Sequence, residues 1–148
     1  MDGVGKTTLI RQIADRLECD ILSMTRCGSK KVSDYLAKAT LKRIVSDRSF
    51  ISEVVYSTVF DRETTVTPQI GEGLIKVYKA LGWKFYLLDA DTETIRKRLL
   101  VRGDEDPANV ENVDRLRKAY LSFAHSFDIP IIKSEELDVE KFIAELKG

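Results

Sequence analysis

At 148 residues, with 43% hydrophobic and 32% charged side chains, the chain has the size and polarity of a soluble globular protein with one core. Its 24 basic side chains balance 24 acidic ones, so no net charge draws the whole molecule to nucleic acid or to an anionic membrane; any such attraction must come from local clusters. No apolar run approaches the ~20 residues of a transmembrane helix and the N-terminus carries no secretory pattern. Cys19 and Cys27 fall in neither a Cys-x-x-Cys nor a metal-ligand pattern with the lone His125, so a cytoplasmic chain with reduced thiols is expected.

The chain opens on Asp2-Gly3-Val4-Gly5-Lys6-Thr7-Thr8. From Gly5 onward this fits the phosphate-binding pattern G-x-x-x-x-G-K-[ST], whose first glycine would fall one residue before Met1. Gly3 and Gly5, on either side of Val4, can adopt backbone angles closed to other residues, which would let consecutive N–H groups curl around a phosphate with no Cβ in the way. Lys6 adds a compact cation, Thr7 a hydroxyl for Mg²⁺, and the helix that begins here turns its positive end to the anion. A triphosphate site is expected; the competing reading is a glycine turn that merely precedes a helix.

Ile10, Ile13, Ala14 and Leu17 then follow at helical spacing, predicting a helix from Lys6 to about Leu17. Cys19 to Ser23 reads as a short strand. Gly28 breaks the chain, and Ser29 can cap a helix to about Ala39. Leu41 to Arg48 is a β-branched run ending in Asp47-Arg48, an acid and a base at the carboxyl end of a strand, where open α/β sheets hold their ligands. Ile51 to Phe60 fits a strand by its β-branched residues and a helix by its spacing. Thr67-Pro68 predicts a capped helix running to Gly82. Trp83 to Leu88 is the strongest strand pattern, closed by Asp89-Ala90-Asp91. A helix over Thr92 to Val101, a polar lid over about 102–109, a helix from about Val110 to Ser126, a strand Ile129 to Ile132 and a helix capped by Asp138 complete the chain. Strands alternating with helices argue for an α/β fold in which a parallel sheet is covered on both faces, in one domain.

With these elements in place, the sequence resembles the thymidylate kinase family of P-loop nucleoside and nucleotide kinases. The opening stretch is similar to that family's loop G-x-D-G-x-G-K-[ST]-T. Asp47-Arg48-Ser49, with Ser52 and Tyr56 five and nine residues after Asp47, resembles its D-R-[YFH] signature, and Asp89 to Arg102 resembles its strand-end aspartate followed by a helix ending R-L-x-x-R. The resemblance favours helix over Ile51 to Phe60. It implies a three-layer P-loop NTPase fold whose first strand is missing here, and leads us to expect that the protein extends upstream by one strand.

The activity it implies is transfer of a γ-phosphoryl group from Mg·ATP to a nucleoside monophosphate, catalysed by positioning and charge neutralisation. On that reading Gly3, Val4, Gly5, Lys6, Thr7 and Thr8 hold ATP, with Lys6 on the β- and γ-phosphates and Thr7 on the metal. Asp2 serves the acceptor's sugar or the metal shell, Arg48 clamps the acceptor phosphate, and Asp47 holds metal-bound water or orients Arg48. Arg98 and Arg102 neutralise charge on the transferring group, and Ser52, Glu53 and Tyr56 contact the acceptor. Blander readings stand beside these: Arg98 and Arg102 also fit a solvated helix face with Glu93, Tyr56 and Trp83 also fit a core, and Arg62, Arg115 and Arg117 read as surface.

Two features depart from the family. Only 40 residues separate Lys6 from Asp47, and Glu53 stands where a small polar residue or an amide helps read the base. A carboxylate only accepts hydrogen bonds, so it would favour bases with amino donors, adenine, cytosine or guanine, over thymine. The alternatives are a P-loop kinase acting on a nucleoside or a polynucleotide 5′-end, to which Lys30-Lys31 and Lys42-Arg43 lend weak support, or a noncatalytic ATP-binding protein. The expected partner is a small nucleotide, with neither a membrane nor nucleic acid. Homodimers occur in the family, but no interface is legible here.

Overall fold

The computed structural model describes residues 6–23, 31–101 and 112–147. Helix α1 (Lys6–Leu17) forms where the apolar stripe predicts it, and Ile10, Ile13 and Ala14 are each buried. It ends at Glu18 in the left-handed region, φ 53°, while the Cys19 N–H closes on the Ala14 carbonyl at 3.0 Å. By their internal contacts, residues fall into two compact units, 10–85 and 1–9 with 86–148.

In the unit 10–85, β1 (Asp20–Ser23) and β2 (Ile44–Arg48) pair in parallel through the crossover helix α2 (Val32–Lys38). The register runs Asp20↔Ile44, Ile21↔Val45, Leu22↔Ser46, then jumps to Ser23↔Arg48. Asp47 is the extra residue of a bulge. Ser29, the expected cap of α2, lies outside the described residues. The helix starts at Val32, and the Lys31 N–H donates to Asp34 Oδ2 at 3.3 Å.

The ambiguous segment is helix: α3 (Phe50–Phe60) buries Phe50, Val54 and Val55, which share a helical face. Ser49 caps it, its Oγ accepting the Ile51 N–H at 3.1 Å. Helix α4 (Pro68–Ala80) begins as expected, with Thr67 Oγ1 accepting the Ile70 N–H at 3.3 Å and proline in the first turn. It ends in a Schellman motif: the Trp83 N–H returns to the Tyr78 carbonyl and the Gly82 N–H to Lys79, both at 3.0 Å, with Gly82 at φ 94°.

The core of this unit is aromatic. Phe50 is fully buried and meets the rings of Tyr35, Tyr78 and Phe85 edge-on, at centroid distances of 5.9, 5.1 and 6.0 Å. Such geometry adds about 0.5–1.5 kcal/mol per pair beyond area burial. The polar tips are used as well: the Tyr78 hydroxyl donates to the Tyr35 carbonyl, and Trp83 Nε1–H donates to the Ala39 carbonyl at 2.8 Å.

In the other unit, β3 (Leu87–Asp89) pairs in parallel with β4 (Ile131–Lys133), and helices α5 (Thr92–Val101), α6 (Val113–Ser126) and α7 (Val139–Lys147) surround a core that includes Ile95, Val113, Leu116 and Ile143. The strand expected over Trp83 to Leu88 contracts to Leu87–Asp89, because ladder requires a partner and β4 offers three residues. Trp83 and Phe85 are apolar for the aromatic cluster instead. Proline explains the late start of β4: Pro130 has no N–H for a ladder, though its carbonyl accepts from Leu87 at 2.9 Å. Asp138 caps α7 as expected, accepting the Lys141 N–H at 3.2 Å. Among the described residues, no helix is long and apolar enough to cross a membrane.

Two glycines, Gly73 within α4 and Gly82 just past its end, should respond oppositely to alanine. Neither Gly73 nor Gly82 has a neighbour within 4 Å of an added Cβ, so only backbone preference acts. Gly82→Ala forces a side chain into positive φ and should cost about 1–2 kcal/mol. Gly73→Ala, in an exposed helix interior, should gain about 0.5–1 kcal/mol. Urea titrations of both variants decide this.

Burial, first, then the neighbouring charge of Glu53 and Asp34, pushes the Tyr35 phenol up to about 12; burial, then Tyr35, does the same to Tyr78. Both pKa values are raised over that of an unfolded tyrosine near 10. Their contribution to stability is therefore complete below pH 10 and is lost as pH climbs towards 12, where the unfolded chain releases protons that the folded one retains. Melting temperature followed with tyrosinate absorbance should fall across that window, and a flat profile would contradict it.

Candidate active site

Lys6, Thr7 and Thr8 form the first turn of α1, with Lys6 half-buried and both threonines exposed. The burial of Leu9 and Ile10 directly behind them fixes which side of the turn faces the core. This first turn carries no acidic side chain, so the positive end of the helix is not offset locally and suits an anion. The remaining residues expected in the phosphate loop, Asp2, Gly3, Val4 and Gly5, lie outside the described residues.

A second cluster is built at the junction of β2 and α3. Asp47 and Arg48 end the strand, and one residue later the capping Ser49 turns the chain into the helix. The bulge falls on Asp47, and bulges beside functional sites serve to re-aim a residue or to end pairing. The strand positions of this pair are described; their side chains are outside the description.

On α3, Ser49, Ser52, Glu53 and Tyr56 follow one another at helical spacing. Ser52 is buried and its N–H donates to the Ser49 carbonyl at 3.1 Å. Glu53 is half-buried, and its Oε1 accepts from Thr64 Oγ1 at 3.0 Å. Tyr56 is half-buried, its ring centroid 5.9 Å from that of Phe60. Ser52, Glu53 and Tyr56 thus share one stripe of α3, and Asp47 and Arg48 are placed by their backbone alone at the strand end that precedes it. Lys6, Thr7, Thr8 and Arg98 fall in the other unit. Arg98 is placed on α5 by its backbone alone, and Arg102 and the expected lid lie outside the described residues.

The carboxyl end of β3 holds a contact that sequence reading missed. Asp89 is buried, and Arg117 of α6 grips it with both arms, Nε to Oδ1 at 3.0 Å and Nη2 to Oδ2 at 3.1 Å. Arg117, expected at the surface, is a buttress: its bonds to Asp89 raise its pKa further, against the opposing effect of burial. The available signal was the buried strand-end aspartate, which needs a cationic partner, but the 28-residue separation has no periodicity that would name one. Asp91, two residues on, caps α5 through the Thr94 N–H at 2.9 Å and the Thr94 hydroxyl at 2.7 Å, and these bonds hold its pKa below the usual range.

No protein-family model matches the sequence, and no curated protein matches it. Solved structures do. The YorR protein from Bacillus subtilis, in complex with phosphorylated GDP, superposes with a TM-score of 0.79 at 21% identity, over 99% of this chain and 90% of the other. Deoxyadenosine kinase from M. mycoides with bound dCTP gives 0.61 at 20% identity, over 99% and 93%. The same enzyme with dCMP and a flexible dCDP gives 0.57 at 18%, again over 99% and 93%. The chain therefore has the α/β fold of these structures, the P-loop type expected from the sequence.

Removing the buttress tests its part in the fold. Arg117→Ala leaves a buried carboxylate without its bidentate partner, a loss of 3–5 kcal/mol for a fully buried pair. With Arg117 28% exposed, solvent takes up part of it, and chemical denaturation should show a loss of about 2–3 kcal/mol.

Proposed function

We propose that the protein transfers a phosphoryl group from ATP to a nucleoside monophosphate, in the manner of thymidylate kinases, in the cytoplasm. The observation that carries this reading is the β2–α3 junction, where an acid and a base end a bulged strand and a capped helix then presents Ser52, Glu53 and Tyr56 in one stripe. The P-loop-type fold shared with nucleotide-bound structures supports it.

In this reading Gly3, Val4, Gly5, Lys6, Thr7 and Thr8 hold the triphosphate, Lys6 as its compact cation. Mg²⁺ bound to ATP would supply charge neutralisation at the phosphates. Thr7 fits a magnesium ligand, since its exposed hydroxyl lies in the first helical turn and this ion takes few protein ligands beside phosphate oxygens and water; Asp47 is the carboxylate candidate. Arg48 suits a phosphate by its planar fork, which a lysine lacks. Arg98 and Arg102 would answer the charge spread over the transferring group. Asp2 would serve the acceptor's sugar or the metal shell. Glu53 would read an exocyclic amino group, since a carboxylate only accepts hydrogen bonds; Thr64 Oγ1 donates to its Oε1 at 3.0 Å. Adenine, cytosine or guanine acceptors are then favoured over thymine.

A nucleoside acceptor is the second reading, favoured by the likeness to a deoxyadenosine kinase. The two are separated by measuring ADP formation from Mg·ATP across nucleosides and nucleoside monophosphates, with Lys6→Ala as control. We expect release dependent on a monophosphate and a fall of about 100-fold or more in Lys6→Ala. Release only with nucleosides would establish the second reading, and acceptor-independent or Lys6-independent release would reject both.

A further inference from the structure

Helix α4 has two apolar sides and commits one of them to the core. Gly71, Leu74, Ile75 and Tyr78 are buried within the unit 10–85, whereas Ile70, Val77 and the C-cap Leu81 are 37%, 39% and 40% exposed. Ile70, Gly73, Val77 and Leu81 follow at intervals of three, four and four residues, which makes them one stripe along the helix. Among the described residues, no other helix carries more than one exposed large apolar side chain. Gly73 stands inside this stripe with nothing within 4 Å of an added Cβ. A glycine in a helix interior weakens it relative to alanine, and here nothing in the described chain fills the space that the missing side chain leaves. The outcome is a notch at Gly73 and, one turn on, a projecting knob at Val77.

Charge lies along one flank of the stripe. Glu72, Lys76 and Lys79 follow at helical spacing and are all exposed, the acid nearer the start of the helix and the bases nearer its end. The flank on the other side is the buried one.

We propose that this face binds a second copy of itself, with the two α4 helices antiparallel about a two-fold axis. Val77 of each copy then enters the Gly73 notch of the other, and Ile70 meets Leu81 of the partner subunit. Two properties commit the face to its own copy rather than to another partner. Knob and notch sit one turn apart on the same stripe, so an axis between them satisfies both at once. In an antiparallel pair like flanks meet, so the charged row faces itself in reverse order. Glu72 comes opposite Lys79 of the partner subunit, twice by symmetry, while each Lys76 keeps Glu72 of its own helix 3.5 Å away. A parallel pair would instead turn the charged flank towards the apolar one. One 13-residue helix spans about 20 Å, short of a standard interface, so the dissociation constant is expected at about 10–100 µM.

Sedimentation equilibrium of the full chain over a concentration series tests this, with Gly73→Leu, Glu72→Lys, Lys79→Glu and the double charge reversal. The wild type should pass from monomer to dimer as concentration rises. Gly73→Leu fills the notch and should raise the dissociation constant about 30-fold or more. Leucine favours the helix of the single chain, so at dilution this variant should melt at or above the wild-type temperature, which separates lost association from lost fold. Each single charge reversal should weaken the dimer about fivefold, through two symmetric pairs, and the double reversal should return it to within about twofold of the wild type. A wild type that stays monomeric to about 1 mM overturns the inference. A dimer that Gly73→Leu leaves unchanged or tightens also overturns it, by placing the contact on another surface, and so do single reversals that the double variant fails to rescue. None of these outcomes involves catalysis, so the proposed function stands or falls separately.

Discussion

The packing of Phe50 is the constraint on which the best-described part of the candidate site depends. It is the first residue of α3, two after Arg48, and three rings close on it from α2, α4 and the segment after α4. Because one capping residue separates β2 from α3, locking Phe50 also limits where the end of β2 can lie. Direction follows from it too: with Phe50, Val54 and Val55 in the core and Ser52 buried beside them, Glu53 and Tyr56 are left half-buried on the same helix. An apolar contact thus limits where the polar side chains of α3 can stand, and the cost of disturbing it would be felt in stability.

The other unit anchors a strand end by different means. Asp89 ends β3 as Arg48 ends β2, but a bidentate ion pair to α6 restrains it rather than a ring cluster. Aromatic packing tolerates small shifts along a face, whereas two parallel hydrogen bonds fix both distance and angle. The consequence for Asp89 is that both carboxylate oxygens already serve the fold, which makes it a support for its neighbours more than a ligand in its own right.

Much of this was legible in the sequence where information is local. Thr67-Pro68, the periodic residues to Gly82 and the Asp138 cap each predict an element that forms, because caps, proline and helical spacing act over a few residues. Ile51 to Phe60 needed a resemblance to decide between two periodicities. Trp83 to Leu88 misled because an apolar run says that residues are wanted inside, not whether a ring cluster or a neighbouring strand wants them. Arg117 was illegible for a similar reason: its partner is set by tertiary structure. Of the site, Asp47 and Arg48 could be placed at a strand end from pattern alone, but the bulge could not, since register is a property of two strands at once.

The division of the chain carries a consequence for biosynthesis. The unit 10–85 is continuous, so a ribosome delivers all of it in one stretch, whereas the first turn of α1, with Lys6, Thr7 and Thr8, shares its unit with residues from Tyr86 onward. At the usual ~5–20 residues per second, this turn waits on the order of several seconds for its partners to emerge, with the aromatic core of the continuous unit able to assemble meanwhile. The turn that carries Lys6, Thr7 and Thr8 is thus completed only once residues from Tyr86 onward have been made, whereas the aromatic core of the continuous unit needs none of them.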